Sequence, residues 1–65
     1  MRVTVNGKTQ EIPAGTTLKG LLEMTGKSKY VAVALNMEFV PQSEYERNLL
    51  RAGDEVEIVS PQAGG

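Results

Sequence analysis

Val3 and Val5 alternate with Arg2 and Thr4 and lead directly into Asn6-Gly7, and this stretch constrains the fold more than any other. An Asn-Gly pair after an alternating run is the strongest short-range hairpin signal, because both central residues of a type I′ turn need positive φ. It predicts that a first strand carrying Val3 and Val5 on its buried face turns back at once as a second. The returning run, Lys8 to Ile12, has Ile12 as its only large apolar residue and stops at Pro13, so it belongs at a sheet edge.

From Thr16 the period changes. Leu18, Leu21 and Leu22 fall at i, i+3 and i+4 behind Thr16 or Thr17 as N-cap, and Gly26 suits the position after a helix end. A short amphipathic helix is predicted, with Lys27 and Lys29 as charges suited to its carbonyl end. Gly20 inside it costs up to about 1 kcal/mol relative to alanine, so the helix must depend on packing over the sheet.

Val31 to Leu35 is a continuous apolar run of strand length. The expected arrangement turns Val31, Val33 and Leu35 toward the helix and leaves Ala32 and Ala34 on a low outer face. Asn36-Met37 stands where a two-residue turn would close a hairpin to Glu38-Phe39-Val40, although methionine accepts positive φ poorly. After Pro41, Ser43 and Glu46 have the spacing of a capping box. They predict a helical turn within Glu44 to Leu50 with Leu49 and Leu50 as its apolar side. Gly53-Asp54 then leads into Glu55 to Val59, where strict alternation at Val56 and Ile58 marks a last strand with one buried face.

The expected order is β, β, α, β, β, short helix, β. No linker or repeat divides it, so one sheet of about five strands should pack on one helix in a two-layer α+β domain, with the first and last strands paired centrally. The domain is expected to occupy residues 1–60, and 61–65 to form a flexible tail ending in Gly64-Gly65. Glycine has no Cβ, so such a pair can thread a channel too narrow for side chains and present the α-carboxylate beyond it. Taken alone, the dipeptide fits a frayed end or a cloning remnant equally well.

Composition narrows the function. In 65 residues only roughly 60% of the unfolded chain's surface is buried, which leaves little room for a deep active site. With neither cysteine nor histidine, the chain builds no disulfide, thiolate nucleophile, histidine base or ordinary zinc site. A net charge of −1 gives no field for nucleic acid or an anionic membrane. No apolar run approaches the roughly 20 residues of a membrane span, and no signal peptide precedes the first strand. A cytoplasmic protein, monomeric when free, is expected. Glu55 and Glu57 share one strand face, where alternating charges read as solvated surface rather than an acid–base pair. Tyr30, Phe39 and Tyr45 read as packing at the core edge, since they lack the basic company of a base-stacking platform.

The blocks Val5-Asn6-Gly7, GTTLKGLLE at 15–23, VAVALN at 31–36, EFVP at 38–41 followed by Ser43 and Tyr45, and GDEVEIVSPQAGG at 53–65 together resemble the ThiS family of thiamine-biosynthesis sulfur carriers, which have the ubiquitin-like β-grasp fold. The resemblance spans essentially the whole chain and departs at Met37, where many members have glycine. It implies that a ThiF-like enzyme, related to ubiquitin-activating enzymes, uses ATP to adenylate the Gly65 carboxylate. A sulfur donor then converts the adenylate to a thiocarboxylate, which a ThiG-like thiazole synthase consumes. By the same resemblance Gly64 and Gly65 are needed for activation, Ala32, Ala34 and Val59 are candidates for a partner-docking patch, and the chain itself is no enzyme and binds no cofactor. Carriage for molybdopterin, cysteine or thiolated tRNA, a ubiquitin-like modifier joined through Gly65, and a plain binding module stay open at this point.

Overall fold

The computed structural model describes residues 1–26 and 32–59. The expectations for Lys27, Lys29, Tyr30, Val31 and the segment 60–65 lie outside the described residues. Five strands and one α-helix follow in the expected order: β1 (Arg2–Val5), β2 (Lys8–Glu11), α1 (Leu18–Thr25), β3 (Ala32–Leu35), β4 (Glu38–Val40), a three-residue 3-10 turn (Gln42–Glu44) and β5 (Glu55–Val59). The strands form a single mixed sheet ordered β2-β1-β5-β3-β4. β5 is therefore central, parallel to β1 and antiparallel to β3.

Each element follows from local chemistry. Asn6 and Gly7 both take positive φ, 50° and 83°, and the turn pairs Val5 with Lys8, as a type I′ hairpin requires. Thr17 caps α1, its hydroxyl accepting the Gly20 N–H at 3.1 Å, and left-handed Gly26 closes the helix with its N–H on the Glu23 and Leu22 carbonyls. The helix lays Leu18, Leu21 and Leu22 over Val3, Val5, Val33, Val56 and Ile58, all buried. At roughly 1.5–3 kcal/mol per buried side chain, these leucines offset what Gly20 costs the isolated helix.

Two expectations need correction between β4 and β5. Ser43 makes no cap: the 3-10 turn begins after Pro41, whose carbonyl accepts the Glu44 N–H at 2.9 Å, and no side chain caps it. Glu46 instead reaches Lys19 on α1 at 2.7 Å. Leu49 is also not a core residue. It is 58% exposed while Leu50 is 2% exposed, because residues 48–50 run as an extended strap rather than a helix, and extended neighbours point to opposite sides. The strap also serves α1. Carbonyls of Asn48 and Tyr45 accept the Leu18 and Lys19 N–H groups at 2.8 and 3.1 Å, so the strap, Tyr45 and Thr17 together satisfy donors that a helix start leaves unpaired.

The Asn36-Met37 turn is type I′ as well, at φ 52° and 71°, so methionine is held in the left-handed region. Its side chain is 90% exposed and packs on nothing that would compensate. Left-handed backbone costs a side-chain-bearing residue roughly 1–2 kcal/mol, against about 0.5–1 kcal/mol of extra unfolded-state entropy for glycine. Met37→Gly should therefore raise stability by about 0.5–1 kcal/mol, seen as a melting temperature higher by a few degrees; an unchanged or lower value would mean the methionine makes a contact that this balance omits.

Candidate functional site

Alternation along β3, β4 and β5 sends every second residue away from α1. Ala32 pairs with Val59, and Ala34 lies between Glu57 on β5 and Phe39 on β4. The Ala32, Ala34 and Val59 set thus sits together on the outer sheet face, with Ala32 exposed, Ala34 half-buried and Val59 61% exposed. Phe39 joins it. At 71% exposure it is not the core-edge packing residue that its aromatic character predicts, because Val40 takes the inward position of this short strand. Tyr45 does enter the core, and burial pushes its phenol pKa up.

The result is an apolar strip of small residues bounded by an aromatic ring and a valine, beside the exposed carboxylates Glu55 and Glu57. Low alanines between larger neighbours leave a shallow seat on this face. Elsewhere on the outer face Arg2 meets Glu11 at 3.3 Å, and that hydrogen bond holds the Glu11 carboxyl below its ordinary range.

A second depression lies between α1 and residues 42–46, an open groove of about 540 Å³ that includes Lys19, Leu22, Tyr45 and Glu46. The Lys19–Glu46 hydrogen bond raises the lysine and lowers the carboxylate. Each group thus keeps its charge and cancels the other's, so this pair offers no uncompensated charge to a ligand. Among the described residues no three His, Cys, Asp or Glu side chains gather as metal ligands, and no helix is long and apolar enough to cross a membrane. Gly64 and Gly65 lie outside the described residues.

Comparison with known proteins places the whole chain. Residues 3–65 match the sequence model of the ThiS family. The chain belongs to the ThiS family. It is 27% identical to the sulfur carrier protein ThiS of Escherichia coli, with full coverage of both chains. The crystal structure of the thiamine biosynthesis protein ThiS from Geobacter metallireducens superposes with a TM-score of 0.85 at 29% identity, again over the whole of both chains. The mixed five-stranded sheet on one helix is thus the family's β-grasp. The chain is also 38% identical over 66 positions to a thiazole synthase of Paramagnetospirillum magneticum, and it spans 20% of that protein's length. A second thiazole synthase, from Magnetococcus marinus, is 36% identical over a stretch that is again 20% of its length.

Reading the sequence for inward-facing apolar residues missed Phe39 as a surface group. Its register held the signal: a two-residue turn at Asn36-Met37 places Phe39 opposite Ala34, already assigned outward.

Proposed function

We propose that this chain is a sulfur carrier for thiazole formation in thiamine biosynthesis, with the Gly65 α-carboxylate as its reactive group. The observation that carries this reading is the match with the Escherichia coli sulfur carrier over 100% of both chains. A carboxylate is a poor acyl donor because its leaving group would be oxide. Attack of a Gly65 oxygen on the α-phosphorus of ATP expels pyrophosphate and gives an acyl adenylate. A sulfide nucleophile then displaces AMP at the carbonyl carbon, leaving a thiocarboxylate in which one oxygen has been exchanged for sulfur.

Nothing in these steps asks the carrier for a base, a metal or a thiol, in keeping with a chain that has neither histidine nor cysteine. ATP and the sulfur donor belong to its partners. Those are a ThiF-like adenylating enzyme and a thiazole synthase, the latter supported by two thiazole synthases in which a stretch similar to this whole chain makes up a fifth of the length. The strip of Ala32, Ala34, Val59 and Phe39 is the docking surface in this reading, and Gly64 gives the slimness that lets Gly65 enter an active site.

Intact mass spectrometry of the protein incubated with a ThiF-like enzyme, ATP and sulfide is expected to show exchange of one oxygen for one sulfur, located at Gly65 by fragmentation. An unchanged mass under conditions that convert the Escherichia coli carrier would overturn the proposal.

A further inference from the structure

β5 is the strand from which the chain runs on toward Gly65, and its hold on β1 ends early. The parallel ladder registers only Thr4 with Glu55 and Val5 with Val56. Alternate residues of a strand direct their polar groups to opposite neighbours. The Val56 carbonyl accepts the Asn6 N–H at 2.9 Å, so the N–H and C=O of Ile58, two residues on, face the same side. There β1 has already turned away, with Asn6 at φ 50°. A strand that continued straight would offer Ile58 a peptide C=O and a peptide N–H. The Asn6 side chain offers both instead: its Oδ1 accepts the Ile58 N–H at 2.8 Å, and its Nδ2 donates to the Ile58 carbonyl at 3.3 Å. The carboxamide is a surrogate peptide group that prolongs the ladder after the backbone has left it.

The position suits asparagine on two counts. It tolerates left-handed φ better than other side-chain-bearing residues, and its amide supplies donor and acceptor at the reach of a backbone peptide. Asn36, in the other type I′ turn, holds the start of β5, accepting the Glu55 N–H at 3.0 Å and donating to the Asp54 carboxylate at 3.1 Å. The clasp at Asn6 acts at the opposite end, one residue before Val59, the last residue of the strand.

We infer that Asn6 is a positioning residue for the reaction at Gly65: by clasping both polar groups of Ile58 it holds the β1-facing side of the end of β5, as Ala32 holds Val59 from the β3 side, and the two together set the direction in which the chain leaves the sheet. The inference rests on the sulfur-carrier reading. It separates two tasks within the carrier, since the outer-face strip governs whether the partner binds, while Asn6 governs how often bound carrier presents Gly65 productively. Small misplacement of a reacting group is costly to rate and leaves binding largely untouched.

The test is steady-state adenylation of the full chain by a ThiF-like enzyme, followed as pyrophosphate release, with Asn6→Gly and Asn6→Asp. Glycine keeps the positive φ and removes the carboxamide; aspartate keeps the acceptor for the Ile58 N–H and loses the donor. Asn6→Gly is expected to lower kcat ~10-fold, the scale of two lost hydrogen bonds, with KM within about twofold. Asn6→Asp should lower kcat as well, since it sets a carboxylate oxygen against the Ile58 carbonyl. Amide exchange at Ile58 should quicken in Asn6→Gly while that of Val33 does not. Ile12→Val, a core change away from the clasp, should leave kcat unaltered, which a loss due to lower stability alone would not. Wild-type kcat in Asn6→Gly, or a loss confined to KM, overturns the inference while the sulfur-carrier reading stands. Absence of adenylation in wild type overturns that reading, and the role of Asn6 falls with it, whatever Ile58 exchange shows.

Discussion

Replacing Leu21 with alanine is expected to lower the unfolding free energy by about 3 kcal/mol, within the roughly 2–5 kcal/mol range for fully buried leucines. Leu21 is 0% exposed, as is Leu18, and Leu22 is 1% exposed; these three are the only buried residues of α1, so they tie the helix layer to the sheet. Stability scales at roughly 0.05–0.15 kcal/mol per residue, so in a chain this short the change removes a third or more of what holds it folded. Urea unfolding should show a much lower midpoint at unchanged slope, since the surface exposed on unfolding hardly alters. Leu49→Ala is the contrast: at 58% exposure it should stay within about 0.5 kcal/mol of wild type. Similar losses for the two would mean that the strap packs Leu49 where the fold shows it exposed.

That contrast also marks where the sequence was legible. The two strongest readings, the Asn6-Gly7 hairpin and the helix that starts behind Thr16 or Thr17 and ends at Gly26, rest on interactions within a few residues; both hold, with Thr17 as the cap. The alternation of Val56 and Ile58 was equally clear, because a central strand with one buried face allows no other phase. Between Pro41 and Gly53 the expected helical turn is present, with the Asn48 N–H on the Glu44 carbonyl at 3.1 Å, and Leu50 is buried, but the cap at Ser43 and the burial of Leu49 failed for a common reason. Ser43 and Glu46 satisfy a capping-box spacing, yet Glu46 is drawn to Lys19, 27 residues away in sequence, and the strap forms because Asn48 and Tyr45 carbonyls are recruited by the start of α1. Long-range partners of this kind leave no periodic trace. Phe39 failed differently: hydrophobicity assigns an aromatic residue to the interior, whereas register with Ala34 puts it outside. Asn6 was legible as a turn residue and illegible as a clasp, since its partner Ile58 lies 52 residues on.

Introducing arginine at Ala34 should abolish most docking without disturbing the fold. Ala34 is the centre of the outer strip, flanked by Phe39 and Glu57, and its side chain points away from the core cluster, so a long side chain there extends into solvent and stability should change by no more than about 0.5 kcal/mol. In the docking role proposed for this strip, the same side chain would fill the shallow seat between Phe39 and Val59 and bring a charge that must be desolvated. A mismatch at the middle of an interface commonly costs about 2 kcal/mol or more, so KM for adenylation should rise at least ~10-fold with kcat at saturation preserved. This is the inverse of the pattern expected for Asn6→Gly, which lowers kcat at constant KM. An unaltered KM in Ala34→Arg would move docking off this face; the Leu22–Tyr45 groove would then be the surface to test, through Lys19→Glu, which turns the Lys19–Glu46 pair into a repulsion.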